Sequence, residues 1–324
     1  MSKIIVQQAD LPHFANIYPE EWIDCDVLVI NCTMECYYDV NRIVDHYKHK
    51  VKTVCIMDDS YAYQPDCETH VIPYHLWRVY NELINKKQSP LNSVYGGDKF
   101  LCLTGKPYTG IHRAQMMYWL KNAGLLSQAT YSLHITDDVI DQTVKVMPEC
   151  TREQVVQFAR DYNRTADDVK FVRSEGSMHY SGIPYNVALY ENSKFQLISE
   201  THYRQDHVPF ISEKTYTAIA NEMPFIIVGD RMTCDKLQNM NFETFHSYYD
   251  VLPDWERIHA CIDKVGQWLS DMPNYSTAVT HNLNRFLSLG RRTQSQLENI
   301  LNTEAEFICP TQDQMWQEHF GLLA

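Results

Sequence analysis

Short apolar runs alternate with amphipathic segments over the first hundred residues of this chain. Apolar runs bounded by polar residues predict strands at Lys3–Val6, Asp26–Ile30, Thr53–Met57 and His70–Pro73. The spacing of apolar positions predicts a helix at Val40–Lys48 and another at Leu76–Ile84. Alternation of this kind is typical of βαβ units and indicates a mainly parallel sheet.

The same alternation restarts after a polar segment at residues 85–98. That segment contains several Lys, Ser, Pro, Asn and Gly residues, and it predicts a linker. Beyond it the pattern predicts a strand at Phe100–Leu103 and an amphipathic helix at Ile111–Asn122, with Gly124 just after the last turn. The second half of the chain therefore begins as another α/β unit.

The stretch from Lys194 to Gly229 predicts a strand, a polar loop, a helix and a second strand. Phe195–Ser199 is rich in apolar residues that alternate with polar ones, as in a buried strand. Ser212 precedes a periodic segment and is suited to cap a helix. Phe225–Val228 is a continuous apolar run, which is typical of a strand that is buried on both faces.

Polar side chains fall at one predicted edge of this sheet, where ligands of open α/β sheets bind. They are Glu200, Thr201, Ser212, Glu213 and Lys214. In one interpretation Glu213 only complements the helix dipole and Lys214 is a solvated surface lysine. The two strand-end residues beside this acid–base pair favour the other interpretation, a ligand site.

Further helices are expected outside these strands. Residues 136–170 are polar and favour helix, and Thr151 with Gln154 fits a capping box. Periodic segments late in the chain predict helices at Cys234–Met240, Glu256–Leu269 and Tyr275–Asn302. The whole pattern predicts an α/β protein with two Rossmann-like domains facing a cleft and with C-terminal helices. The predicted domains are residues 1–95, 96–275 and 276–324.

Composition narrows the class of protein. The 324 residues are 44% hydrophobic and 21% charged, as in an ordinary globular protein, and the net charge of −13 argues against a generally basic nucleic-acid-binding surface. The ten cysteines form no CxxC pair, which favours reduced thiols in the core. No cleavable leader and no run of roughly 18 apolar residues is evident, so we expect a soluble cytoplasmic protein with no membrane partner.

A second candidate anion site lies in the loop at residues 103–113, between a predicted strand and a predicted helix. The loop fits neither a Walker motif nor a dinucleotide fingerprint. Backbone N–H groups at the helix start, with His112 and Arg113, still suit an anion. On this segment alone, a turn with a surface arginine is an equal alternative. Arg113 and Lys214 together could neutralise a diphosphate leaving group.

Other chemistries have weaker support. His202, Asp206 and His207 do not have the spacing of a helical metal pair, so no metal site is predicted. No nucleophile elbow is present. The late basic cluster of Arg285, Arg291 and Arg292 is consistent with a solvated face or with contacts to a phosphate backbone.

Two motifs carry a resemblance to a known family. The order of E-T, S-E-K, a helix and PFIIVGD, after KFLCLTGKPYTGIHR, resembles the donor-binding half of fucosyltransferase-like GT-B glycosyltransferases and of their tailed-bacteriophage relatives. The resemblance covers about residues 98–250. It implies a GT-B-like fold, a donor-binding domain at residues 96–275 and an acceptor-side domain at residues 1–95.

The resemblance also implies roles for individual residues. Arg113 and Lys214 match the residues that approach the donor diphosphate, and Glu213 matches the glutamate that binds the ribose. Glu200 and Thr201 fall where the family has Glu-Asn, near the sugar and phosphate, and the threonine is a departure that leaves the donor sugar open. Ser212 belongs to the same motif. The co-substrate would be a nucleotide diphosphate sugar such as a UDP-sugar, with no other cofactor.

The acceptor and the catalytic base stay open at this point. Glycosyl transfer needs a general base on the acceptor hydroxyl, and Asp58 and Asp59, directly after a predicted strand, are the candidates, although either could only cap a turn. Glu35 is a weaker candidate. No D-x-D motif is evident, so we expect metal-independent transfer. The acceptor could be hydroxymethylated cytosine in phage DNA, a glycan or a small molecule. Alternatives are a non-catalytic sugar-nucleotide-binding module and a structural interaction protein.

Overall fold

The computed structural model describes most of the chain. The described residues are 2–8, 25–31, 45–57, 69–85, 97–104, 111–147, 149–164, 189–190, 192–201, 203, 209–245, 252–301 and 305–308.

Strands in this part of the chain form two sheets. Their bounds are β1 Ser2–Gln8, β2 Val27–Asn31, β3 Thr53–Met57, β4 Thr69–Ile72, β5 Lys99–Leu103, β6 Ala129–Ser132, β7 Ser193–Ser199, β8 Phe225–Val228 and β9 Ala305–Ile308. The first sheet has the order β4-β3-β2-β1-β9 and the second has the order β6-β5-β7-β8. All these strand pairs are parallel. The predicted α/β class and the parallel sheets are therefore confirmed.

Helices lie between most of the strands. Their bounds are α1 Tyr74–Asn85, α2 Ile111–Asn122, α3 Asp137–Val146, α4 Arg152–Tyr162, α5 Glu213–Ala220, α6 Thr233–Asn239, α7 Asp254–Ser270 and α8 Ser276–Leu301. A short 3-10 helix at Leu126–Gln128 precedes β6. None of the helices in the described ranges is long and apolar enough to span a bilayer.

The second sheet is buried on both faces, as its continuous apolar runs predict. The side chains of β8 are all buried, and those of β7 are buried except at Lys194. Phe195 stacks on Phe100 with ring centroids 5.6 Å apart, and Trp268 of α7 meets Phe195 edge-on at 5.1 Å. These aromatic contacts join the strands to α7. The side chains of the two strands β7 and β8 are therefore shielded from solvent along most of their length.

The chain divides into two compact units. One contains Met1–Glu82 and Leu287–Ala324, and the other contains Leu83–Phe286. The first unit includes the five-stranded sheet and the second unit includes the four-stranded sheet. The predicted functional boundaries at residues 95/96 and 275/276 stay predictions.

The structure confirms the helix ends that capping residues predict. α2 has the predicted bounds, and Gly124 has a φ of 74°, which a glycine adopts without strain. Both halves of the capping box at Thr151 and Gln154 are formed. The predicted helix at Val40–Lys48 is described only in part, and residues 45–47 are helical.

Two strands were not predicted. β6 and β9 are four residues long, and neither contains a run of apolar residues like that of β8. Such short strands are specified by their pairing to β5 and β1, which the local sequence does not report.

Candidate functional site

Glu200 is the centre of the carboxyl edge of the second sheet. It follows β7 directly, and its N–H donates to the Val228 carbonyl at 2.9 Å, so the strand pairing continues to this residue. Its side chain is fully buried. The carboxylate oxygens accept from the Ser212 N–H at 3.2 Å, and Oε1 also accepts from Thr215 Oγ1 at 2.5 Å. Glu200 therefore holds the first turn of α5 against the end of β7.

The start of α5 is organised as the sequence predicts. Ser212 is the N-cap, and its hydroxyl accepts from the Lys214 N–H at 3.3 Å. Lys214 Nζ donates to Glu213 Oε1 at 3.1 Å. These two side chains are 14% and 19% exposed, so the ion pair lies partly shielded at the helix start. A helix N-terminus with a cation beside it suits a bound anion.

The start of α2 reaches the same point on β7. His112 and Arg113 are both buried. The Glu200 carbonyl accepts from Arg113 Nη2 at 3.2 Å, and it lies 3.0 Å from His112 Nε2. Because a carbonyl oxygen can only accept, His112 Nε2 must carry a proton. The structure therefore brings Arg113 and Glu200 together, as the sequence-based site requires, through the backbone of Glu200 and not its carboxylate.

The Tyr203 ring lies between the side chains of His112 and Arg257, next to the Glu200 carbonyl. The Tyr203 ring stacks on His112 with centroids 5.0 Å apart. Arg257 Cζ lies 4.4 Å from the centre of the same ring. Arg257 belongs to α7 and is buried. A crevice lined by Tyr203, Arg257 and the end of β8 has a volume of about 10 Å³, which is close to the space of one water.

Asp230 lies at the same carboxyl edge of the sheet, two residues after β8 ends. Its Oδ2 accepts from the Phe210 N–H at 3.5 Å, and its carbonyl accepts from Thr233 Oγ1 at 2.7 Å. Gly229 beside it packs closely on Glu200, because a Cβ at this position would lie 3.1 Å from Glu200 Cβ and Cγ. Thr201 is buried directly after Glu200.

Some proposed residues lie outside the described part of the chain. These are Asp58 and Asp59, the weaker candidate Glu35, and the rejected metal ligands His202, Asp206 and His207. Within the described part, no group of three or more His, Cys, Asp or Glu side chains could hold a metal ion. Burial raises the pKa of the Cys55 and Cys102 thiols to about 12, which keeps both protonated near neutral pH and unsuited to nucleophilic attack.

Two members of the late basic cluster, Arg285 and Arg291, have different surroundings. Arg285 is engaged within its own unit, where Nε donates to the Met240 carbonyl at 2.7 Å. Arg291 Nε donates to the Leu287 carbonyl of its own helix at 3.3 Å and is exposed. Arg285 is therefore occupied by a structural contact.

Three residues at the site were missed by the sequence reasoning. Thr215 follows the S-E-K motif directly, and Asp230 follows the strand-end glycine, so position alone could have indicated both. Arg257 had a clearer signal. It lies next to Ile258 and one turn before Cys261, both of which are buried, so it is a charged residue on the apolar face of an amphipathic helix.

Comparisons with known proteins add one structural likeness. No family model matches this chain, and no curated protein matches it. A solved structure that resembles it is the crystal structure of the pneumococcal O-GlcNAc transferase GtfA in complex with UDP and GlcNAc. The match has 12% sequence identity and a TM-score of 0.43, and it covers 85% of this chain. The chain spans about half of that protein, 53% of its length.

Proposed function

We propose that this chain is a glycosyltransferase that transfers a sugar from a nucleotide diphosphate sugar to an acceptor hydroxyl. The observation that carries the proposal is the convergence of two helix N-termini, with Arg113 and Lys214, around Glu200 at the carboxyl edge of a parallel sheet. A departing nucleoside diphosphate carries negative charge, which preorganised cations and helix N–H groups stabilise. The motif order that resembles the fucosyltransferase-like family supports the same chemistry.

The residues of this edge take distinct roles in the proposal. Arg113 and Lys214 bind the diphosphate, and Glu213 binds the nucleotide ribose. Lys214 is paired with Glu213 at 3.1 Å, so donor binding separates the pair and gives each side chain a new partner. Glu200 is a positioning residue, since its carboxylate is already bonded to Ser212 and Thr215. Thr201 lies next to it, where the family resemblance implies contact with the sugar.

The enzyme would be of the GT-B type, with two Rossmann-like domains, and would act without a metal ion in the cytoplasm. Asp58 or Asp59 would be the general base. The acceptor class is open between hydroxymethylated cytosine in phage DNA, a glycan and a small molecule. The net charge of −13 weighs against a DNA acceptor unless its contacts are local.

The test begins with donor binding. A panel of UDP- and GDP-sugars is screened by thermal unfolding, because a ligand that binds only the native state stabilises it. The stabilising donor is then incubated with hydroxymethylcytosine DNA, glycan and small-molecule acceptors, and the products are measured by mass spectrometry. Lys214→Met and Arg113→Lys should abolish transfer without loss of the fold. The matched control is Lys145→Gln, which changes an exposed lysine in the last turn of α3.

The outcomes separate the alternatives. Near-normal turnover in both Lys214→Met and Arg113→Lys would overturn the assignment. Donor stabilisation without transfer to any acceptor, unchanged by Asp58→Asn and Asp59→Asn, would indicate a non-catalytic sugar-nucleotide-binding module. No stabilisation by any donor would favour a structural interaction protein.

A further inference from the structure

A cavity of about 410 Å³ lies at the other edge of the second sheet. It is lined where β5 and β6 begin, beside the end of α2 and the end of α4. The lining residues are Lys99, Lys121, Gly124, Leu126, Ser127, Ala129, Tyr131, Tyr162 and Arg164. This amino edge is separated from Glu200 by the length of the strands. It is therefore distinct from the proposed donor site.

All the charged residues that line this cavity are positive. Lys99, Lys121 and Arg164 contribute three cations, and no acidic residue lines the cavity. Among the described residues, none of the three is paired with a carboxylate, and Lys121 Nζ donates only to Asn122 Oδ1 at 3.3 Å. The chain as a whole carries a net charge of −13. All three residues are exposed, so solvent screens their mutual repulsion, but together they give the cavity a positive potential that attracts an anion.

Capping of α2 does not explain Lys121. A cation in the last turn often complements the helix dipole. Here two carbonyls near the helix end already have backbone partners, because the Gly124 N–H donates to the Lys121 carbonyl at 3.0 Å and the Leu125 N–H donates to the Leu120 carbonyl at 2.9 Å. This is a Schellman arrangement, with Gly124 in the left-handed region. Lys121 Nζ is therefore not needed to bond these two carbonyls, and beside its contact with Asn122 Oδ1 it has donors for an anion.

Aromatic rings form another part of the lining. Arg164 Cζ lies 4.7 Å from the centre of the Tyr131 ring, which holds the guanidinium at the cavity. Tyr162 is half-buried and its ring stacks on Phe158 with centroids 5.1 Å apart. Burial raises the pKa of the Tyr131 phenol, an effect that Tyr162 reinforces and Arg164 opposes, so its hydroxyl stays protonated at neutral pH. The cavity thus combines cations, rings and a phenolic hydrogen-bond donor.

We propose that this cavity binds a small phosphorylated molecule that carries an aromatic ring, of the size of a mononucleotide. Its phosphate lies among Lys99, Lys121 and Arg164, and its ring packs against Tyr162. The volume of 410 Å³ falls in the range of small-molecule sites, about 300–1,000 Å³. Arg164 is the strongest contributor, because a guanidinium can donate two parallel hydrogen bonds to one phosphate. The site would act independently of sugar transfer.

The experiment uses the full chain and adenosine 5′-monophosphate as the probe, with binding measured by calorimetry. Arg164→Gln and Lys121→Gln should each weaken binding about tenfold, the effect of losing one hydrogen bond to a charged group. Inorganic pyrophosphate should bind more weakly than the nucleotide because it has no ring. Tyr162→Ala should bring the two affinities closer together.

Two controls locate the binding. Lys145→Gln changes an exposed lysine outside the cavity and should leave the affinity unchanged. Lys214→Met should also leave it unchanged, because Lys214 lies at the carboxyl edge. The proposal is overturned by no binding at millimolar probe, by loss of binding in Lys214→Met, by full affinity in both Arg164→Gln and Lys121→Gln, or by pyrophosphate binding as tightly as the nucleotide.

Discussion

The polar groups at the carboxyl edge of the second sheet are paired with one another, whereas the cations at its amino edge have no carboxylate partner among the described residues. At the carboxyl edge, the buried Glu200 carboxylate is bonded to Ser212 and Thr215, and Lys214 is paired with Glu213. The crevice there has a volume of about 10 Å³. At the amino edge, three cations surround a cavity of about 410 Å³ and have no carboxylate partner among the described residues.

This difference separates a site that must rearrange from a site that is already formed. A ligand at the carboxyl edge has to replace internal contacts, such as the Lys214–Glu213 pair, so part of its binding energy is offset. An anionic ligand at the amino edge meets cations that have no carboxylate partner among the described residues, and it displaces no internal ion pair. The carboxyl edge should therefore matter for stability as much as for binding, whereas the amino edge should matter mainly for binding.

The largest effect on stability is expected for Glu200→Ala. The substitution leaves the buried Ser212 N–H and Thr215 hydroxyl without their acceptor, and it should lower the free energy of unfolding by about 4 kcal/mol. Urea unfolding measures the change. The control is Asp161→Ala, an exposed acid near the amino edge, which should change stability by less than about 0.5 kcal/mol. A loss below about 1 kcal/mol for Glu200→Ala would contradict its organising role.

The site shows what a sequence can specify and what it cannot. The cap at Ser212 and the bounds of α2 depend on neighbours within a few residues, and both were predicted correctly. The bond from Arg113 to the Glu200 carbonyl joins residues 87 positions apart, so only the strand order β5-β7 brings them together. The short strand β6, whose residues Ala129 and Tyr131 line the cavity at the amino edge, likewise depends on its pairing to β5. Long-range pairing of this kind leaves no periodic signal in one sequence.

A smaller effect is expected for Gly229→Ala. The new Cβ would lie 3.1 Å from Glu200 Cβ and Cγ, and Glu200 cannot yield because its carboxylate is held by hydrogen bonds. The crowding should lower the free energy of unfolding by about 1.5 kcal/mol.

The matched control for that variant is Gly266→Ala in α7. There the nearest atom to a new Cβ is Leu125 Cδ1 at 3.9 Å, so alanine fits without strain. Because alanine favours helix, this variant should raise the free energy of unfolding by about 0.8 kcal/mol. Opposite signs for the two glycines, measured by urea unfolding, are the expected result. Equal effects would mean that the Gly229 contact with Glu200 is not tight.

Removal of the N-caps of α5 and α4 should cost a similar amount of stability but have different consequences for donor binding. Ser212 caps α5 at the carboxyl edge, and Thr151 caps α4, whose far end lines the cavity. Ser212→Ala and Thr151→Ala should each lower the free energy of unfolding by about 1 kcal/mol. Only Ser212→Ala should reduce the thermal stabilisation by a nucleotide sugar. Equal losses of donor stabilisation in both variants would place the donor elsewhere.

The smallest effect is expected for the pH dependence of folding stability, through Tyr131 at the amino edge. Burial raises the pKa of Tyr131, so the folded chain keeps this proton to higher pH than the unfolded chain does. The resulting contribution to stability is complete below the unfolded value, about 10, and is lost as pH rises through the folded pKa. Tyr131→Phe should therefore make the fall in urea midpoint above about pH 9.5 shallower. Arg164→Gln should make it steeper, because Arg164 opposes the rise in pKa. Superimposable profiles for Tyr131→Phe and the unmodified chain, measured from pH 8 to about pH 11, would show that this phenol titrates alike in both states.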